Sequence, residues 1–185
     1  PLGVSGATAK NVDSENSHLV LFAGSCFTRR RIPDLIRAFA IVQTKESRAR
    51  LSIVGDNRTY PHLNLEGLVD STGITNYVSI KSWISDQDLA ELYRTAKVFV
   101  FLSEYEGFGL PPLEALAFGV PSVMLDTKIA REVMGEAASF VPVNDIHSTA
   151  NALAELLCDS PKRRDILKIA PQILARHTWT DTAMQ

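Results

Sequence analysis

The chain has 185 residues, 45% of them hydrophobic and 22% charged, with a formal net charge of −2 at pH 7. That length suits one domain able to bury a sizeable core, and the composition is ordinary for a globular protein. The slight negative charge excludes the basic excess on which nucleic-acid and anionic-membrane binders depend, and no membrane span or secretory leader is visible.

Residues 1–17 open with Pro1-Leu2-Gly3-Val4 and run on with few apolar anchors, which reads as a mobile lead-in to a domain over 18–185. His18–Gly24 is a first strand. Ser25-Cys26-Phe27-Thr28-Arg29-Arg30-Arg31 leads from it into a helix with Ile32, Leu35, Ile36, Phe39 and Val42 on one face. Three arginines there either aim guanidinium forks at phosphate oxygens or form a solvated basic turn. Arg50–Gly55 is a second strand, followed by a helix carrying Leu63, Leu65, Leu68 and Val69 that Gly73 ends. Tyr77–Lys81 is a third. After Ser82-Trp83-Ile84, Ser85 or Asp86 caps a helix whose buried stripe is Leu89, Leu92, Tyr93 and Ala96.

Lys97–Leu102 is a continuous apolar run, as expected of a strand buried on both faces. The loop after it carries two glycines, two glutamates and a Pro pair placed in a first helical turn, ahead of Leu113, Leu116 and Ala117 at helical spacing. Val120–Leu125 and Ala138–Val141 are further strands, and a helix between Thr127 and Met134 is expected to start near the same crevice. Asp145 or Ser148 starts a helix with Ala150, Leu153, Ala154 and Leu157 inward. A last helical region from Lys162 is expected to break near Pro171. This alternation predicts an α/β fold: a Rossmann-like, doubly wound parallel sheet of about six strands with helices on both faces. Ligands then bind at the carboxyl ends of the strands.

Cys26 and Cys158 lie far apart without a partner motif and read as free thiols in a reducing compartment. His18, His62, His147 and His177 show no ligand spacing, so no protein-held metal is expected.

The chemistry concentrates in the loop after the fourth strand. Gly107 and Gly109 allow close backbone approach to a ligand, and the N–H groups of Phe108, Gly109 and Leu110, with a helix end behind them, favour an anion such as phosphate. Glu106 and Glu114 suit vicinal hydroxyls, which donate charge-assisted hydrogen bonds to carboxylates. Phosphate plus polyol suggests a nucleotide-sugar. The plainer alternative is that Glu114 stabilises a helix N-terminus while Glu106 is a solvated loop charge.

The stretch from Glu106-Gly107-Phe108-Gly109-Leu110-Pro111-Pro112-Leu113-Glu114 through Gly119-Val120-Pro121 resembles the signature of retaining glycosyltransferases of the GT-B fold, family 4. The resemblance implies that the chain is the donor-binding, C-terminal half of such an enzyme. The complete enzyme would transfer a sugar from a nucleoside diphosphate donor, such as a UDP- or GDP-hexose, with retention of configuration and no bound cofactor or metal. By resemblance Glu106 contacts the donor sugar and Glu114 the ribose hydroxyls. Arg30 takes the place of a diphosphate-binding lysine six positions after Gly24. Ser25 stands where many members carry a phosphate-binding arginine, a role Arg29 is expected to supply. Trp83 and Ile84 fall in the loop that contacts the base. Pro1-Leu2-Gly3-Val4 resembles the junction with the N-terminal, acceptor-binding domain, and Arg176-His177-Thr178-Trp179-Thr180 precedes the family's final crossing to it. A cytoplasmic location is expected, with any peripheral contact at the inner membrane face made by the absent half. The alternative reading is a non-catalytic nucleotide-sugar-sensing module.

Overall fold

The computed structural model of the chain describes residues 17–107, 109–158 and 160–176. Six strands, β1 (Leu19–Ala23), β2 (Arg50–Val54), β3 (Val78–Lys81), β4 (Val98–Phe101), β5 (Ser122–Leu125) and β6 (Ala138–Val141), form one sheet in the order β3-β2-β1-β4-β5-β6. All five pairings are parallel. Parallel strands need long crossovers, and the helices supply them: α1 (Ile32–Lys45), α2 (Leu65–Ser71), α3 (Asp86–Thr95), α4 (Leu110–Ala117), α5 (Lys128–Met134), α6 (Ile146–Leu157) and α7 (Pro161–Ala175). α1 packs on α6, and α4 on α7. This is the expected doubly wound sheet.

The central strands bury both faces. Val20, Leu21, Phe22 and all four residues of β4 are at most 2% exposed. Phe22, Phe99 and Phe101 stack across β1 and β4, which adds aromatic packing to the burial. Helix starts follow the sequence closely. Ser85, Thr127, Asp145 and Ser160 each accept a hydrogen bond from the backbone N–H three residues on, at α3, α5, α6 and α7. Gly73, at φ 73°, follows the end of α2.

Two expectations need correction. α7 runs unbroken through Pro171. The proline removes one backbone bond, but it lies on the exposed side while Ile166, Ala170 and Ile173 bury the opposite face. The stripe of α3 is also incomplete: Tyr93 and Ala96 are buried, whereas Leu89 and Leu92 are only half-buried. The cause is the open sheet edge. Leu92 and Ile84 line a depression of about 560 Å³ over β2 and β3, which α3 does not fill.

The chain leaves β1 in one direction, through β2 to β3, and returns across α3 to β4. The sheet therefore has its topological switch point between β1 and β4, which lie side by side. The loops after these two strands contain the arginine cluster and the glutamate-glycine stretch. No described helix is long and apolar enough to cross a membrane. The lead-in before Ser17 and the stretch from His177 onward lie outside the described residues.

Candidate functional site

The loop after β1 stays tied to the loop after β2. Gly24 N donates to Val54 O, Cys26 N donates to Asp56 O, and the Cys26 thiol donates to Gly55 O. Cys26 is buried, and desolvation pushes its thiol up to about 11, so it is an inert packing group. At Gly55 (φ 144°) a Cβ would lie 2.0 Å from Gly24 O, so only glycine lets the two backbones cross there. A 3₁₀ turn over Thr28–Arg30 then turns the chain into α1.

That turn delivers two guanidiniums to the carboxylate of Glu106. Arg30 Nε donates to Glu106 Oε1 at 2.8 Å and Arg30 Nη1 donates to Ser25 O at 3.0 Å. Arg30 lies so close over Gly24 that a Cβ there would meet Nη1 at 2.6 Å. Phe101 lies beneath the Arg30 guanidinium, 4.9 Å from carbon to ring centroid. Arg29 Nη2 stands 3.8 Å from Glu106 Oε2, and its guanidinium lies over the rings of Phe27 and Tyr105. Arg29 Nε is buried without a hydrogen-bond partner. Ser103 Oγ donates to Glu106 Oε1 at 2.9 Å, and Glu104 N donates to Arg29 O at 3.0 Å, which joins the two loops along their backbones.

Burial alone would raise the Glu106 carboxyl. The hydrogen bonds from Arg30 and Ser103 and the charges of Arg30 and Arg29 outweigh it, and Glu106 is held below the usual carboxylate range. Two guanidiniums facing one carboxylate leave a net positive charge, which suits an anion.

Glu114 behaves oppositely. It lies in α4, half-buried, with the Tyr93 hydroxyl donating at 3.5 Å. Burial lifts its carboxyl above the usual range, and the Tyr93 hydrogen bond offsets only part of that. Tyr93 is itself 1% exposed and stacks on Phe118; burial and the neighbouring Glu114 charge raise its hydroxyl well above the ordinary value.

Gly109 takes φ 77° as the residue before α4, with Pro111 in the first turn. A Cβ at Gly107 or Gly109 would meet nothing within 4 Å, so the room above this loop is open. Leu110 is exposed, and Phe108 lies outside the described residues. The start of α5 does approach this crevice. Thr127, Ala130 and Val133 share a cavity of about 20 Å³ with Ser103, Glu106 and Gly109, room for one water.

Gly24, Ser25, Arg29, Arg30 and Glu106 are thus brought together by contacts, and Gly107, Gly109 and Leu110 follow in the same loop. Trp83 is 78% exposed on the loop after β3, and Ile84 turns into the depression over β2 and β3, whose lining shares no residue with the arginine–glutamate cluster. Sequence reasoning missed Ser103, Tyr93 and Phe27. A buried tyrosine on the α3 stripe was the one available signal, because its hydroxyl needs a partner. The large exposed hydrophobics among the described residues, Tyr60, Trp83, Tyr105, Leu110, Ile129 and Val143, all follow a strand's carboxyl end.

The sequence profile of the glycosyl transferases group 1 matches residues 7–172. The chain belongs to this family. It is 32% identical over 141 residues to O-antigen chain mannosyltransferase B of Escherichia coli, an alignment covering 76% of the chain and 37% of that enzyme. The chain therefore spans about a third of the length of this curated relative. A TarM structure from S. aureus, in complex with fondaparinux, α-GlcNAc-glycerol and UDP, superposes with TM-score 0.78 at 18% identity, covering 91% of the chain and 34% of TarM. The C-terminal domain of LpcC, a glycosyl transferase group 1 family protein from Francisella tularensis, gives TM-score 0.72 at 22% identity, covering 85% of the chain and 84% of that domain. These likenesses show a shared fold, the Rossmann-like half of the GT-B architecture, consistent with the resemblance carried by Glu106–Pro121.

Proposed function

We propose that this glycosyl transferase group 1 domain binds the nucleoside diphosphate sugar of a retaining, family 4 glycosyltransferase. One observation carries the reading: Arg30 and Arg29 converge on Glu106 across the sheet's switch point, beside the glycine-bearing start of α4. The diphosphate lies against Arg30, the Nη2 of Arg29 and the backbone N–H groups of Gly109 and Leu110. These groups stabilise negative charge as the diphosphate leaves. Glu106 holds the sugar hydroxyls by position and charge, in place of part of its pairing with arginine. Glu114, partly desolvated and hydrogen-bonded by the Tyr93 hydroxyl, takes the ribose. Trp83 and Ile84 border the base. The acceptor is held by a second, N-terminal domain, which the whole enzyme requires for transfer. UDP bound in TarM and the mannosyltransferase relatives support a hexose nucleotide donor.

Calorimetric titration with UDP, GDP, ADP and their sugar conjugates tests this. One of the diphosphates is expected to bind, and Glu114→Ala to weaken it by about 1–3 kcal/mol, the scale of a charge-assisted hydrogen bond. Equal affinity in parent and variant removes Glu114 from the site; no binding of any of the three overturns the donor reading.

A further inference from the structure

Among the described residues two non-glycine positions have positive φ: Arg31 at 51° and Asn144 at 62°. L side chains avoid this region unless surroundings hold them there. These two hold each other: Arg31 Nη2 donates to Asn144 Oδ1. The same guanidinium donates through Nη1 to Glu104 Oε1 at 2.5 Å and through Nε to Asp34 Oδ2 at 2.7 Å. Arg31 is the residue at which the arginine turn enters α1, Glu104 is two residues from Glu106 in the loop after β4, and Asn144 lies in the loop after β6, at the far edge of the sheet. One side chain therefore spans three loops at the carboxyl edge, and its left-handed backbone joins the turn that carries Arg29 and Arg30 to α1.

We propose that Arg31 is a positioning residue that locks the loops after β1, β4 and β6 together and thereby sets Arg30 and Glu106 for the donor. The lock itself stands on these contacts; its consequence for binding rests on the donor reading above. A turn needed merely to reach φ 51° would be better made with glycine, which adopts it without strain. Keeping arginine in a disfavoured backbone state makes sense where the side chain does a second job.

Arg31→Gly separates the two. It relieves the backbone but deletes the three hydrogen bonds of the clip, so the fold should hold with a melting temperature only a few degrees lower. Exchange of the Glu104 amide, which donates to Arg29 O, should quicken about tenfold as the loop opens locally. Affinity for whichever of UDP or GDP the parent binds should fall about fivefold, the loss expected from a misplaced binding group. Asn144→Gly, which removes one acceptor and relieves its own φ, should quicken exchange at Asn144 and Asp145 in the same manner. Unchanged Glu104 exchange overturns the proposal whatever nucleotide does. Faster exchange with parental affinity overturns the positioning role. Collapse of the fold in both glycine variants shows the contacts to be structural and overturns it as well. A parent that binds neither diphosphate defeats the donor reading instead, and the exchange rates still decide the lock.

Discussion

Glu106→Gln tests the centre of the site, because it removes one charge while keeping the shape and one acceptor oxygen. Glu106 is 18% exposed, and its partners Arg30 and Arg29 are 11% and 25% exposed. Breaking a fully buried pair costs about 3–5 kcal/mol and an exposed one under about 1 kcal/mol. With that residual solvent contact, and Gln still accepting from Arg30, the loss should be about 1–2 kcal/mol, or about 2–8 °C in melting temperature for a chain of this size. The pH dependence has a fixed sign. Glu106 titrates lower folded than unfolded, so the unfolded chain binds the extra proton, and the contribution is complete above the unfolded carboxylate range and lost as pH falls through the lowered value. Melting curves of parent and variant should lie apart at pH 6–8 and converge toward acid. Bare nucleoside diphosphate should bind the variant more tightly, since the carboxylate no longer competes for Arg29 and Arg30. Coincident melting curves at neutral pH, or weaker diphosphate binding by Glu106→Gln, would refute the reasoning.

Glu114→Gln should act in the opposite sense on stability. Its carboxyl is raised in the fold, so stability falls as pH rises from the unfolded toward the raised value, and the neutral amide should melt higher at pH 7–8 with the gain fading in acid; a lower melting temperature at pH 8 would sink this. The glycines give a graded series. Gly55→Ala meets Gly24 O at 2.0 Å and should prevent stable folding. Gly109→Ala, at φ 77° in open space, should cost about 1–2 kcal/mol, and Gly107→Ala, with nothing within 4 Å, almost nothing. Thermal melts of the three variants should fall in that order, and any other order contradicts the conformations assigned to them.

Much of the fold was legible in the sequence because parallel strands buried on both faces appear as unbroken apolar runs, as in Val98–Phe101, and polar caps such as Ser85 and Asp145 mark helix starts. Pro171 misled because a proline signals a lost hydrogen bond, while its effect depends on which side of the helix it occupies. Leu89 and Leu92 misled because helical periodicity reports which residues share a face, not whether the neighbouring sheet reaches that far. At the site, Glu106 and Arg30 entered through a resemblance, and no spacing rule would have paired groups 76 residues apart. Arg31 and Asn144 were invisible for a different reason. Neither residue type announces a left-handed backbone as glycine does, so the link between their loops exists only in three dimensions.

The two glutamates explain why such a site needs a rigid sheet edge beneath it. In a short flexible loop, Glu106 would pair with water or with a nearby cation, and Glu114 would rotate out to be solvated. Here Ser103 and Arg30 fix Glu106, with Phe101 beneath the Arg30 guanidinium, while α4 and Tyr93 keep Glu114 partly desolvated. Their titrations are driven in opposite directions within one loop and helix. Arginines already paired with a carboxylate can pass to phosphate, leaving Glu106 to accept from sugar hydroxyls, without large reorganisation. A carboxylate held short of hydrogen bonds gains most from a pair of ribose hydroxyls. The stability that Glu114 costs the empty domain is then recovered on binding, so donor nucleotide should raise the melting temperature of the parent more than that of Glu114→Gln, and equal shifts would show that Glu114 does not meet the ligand.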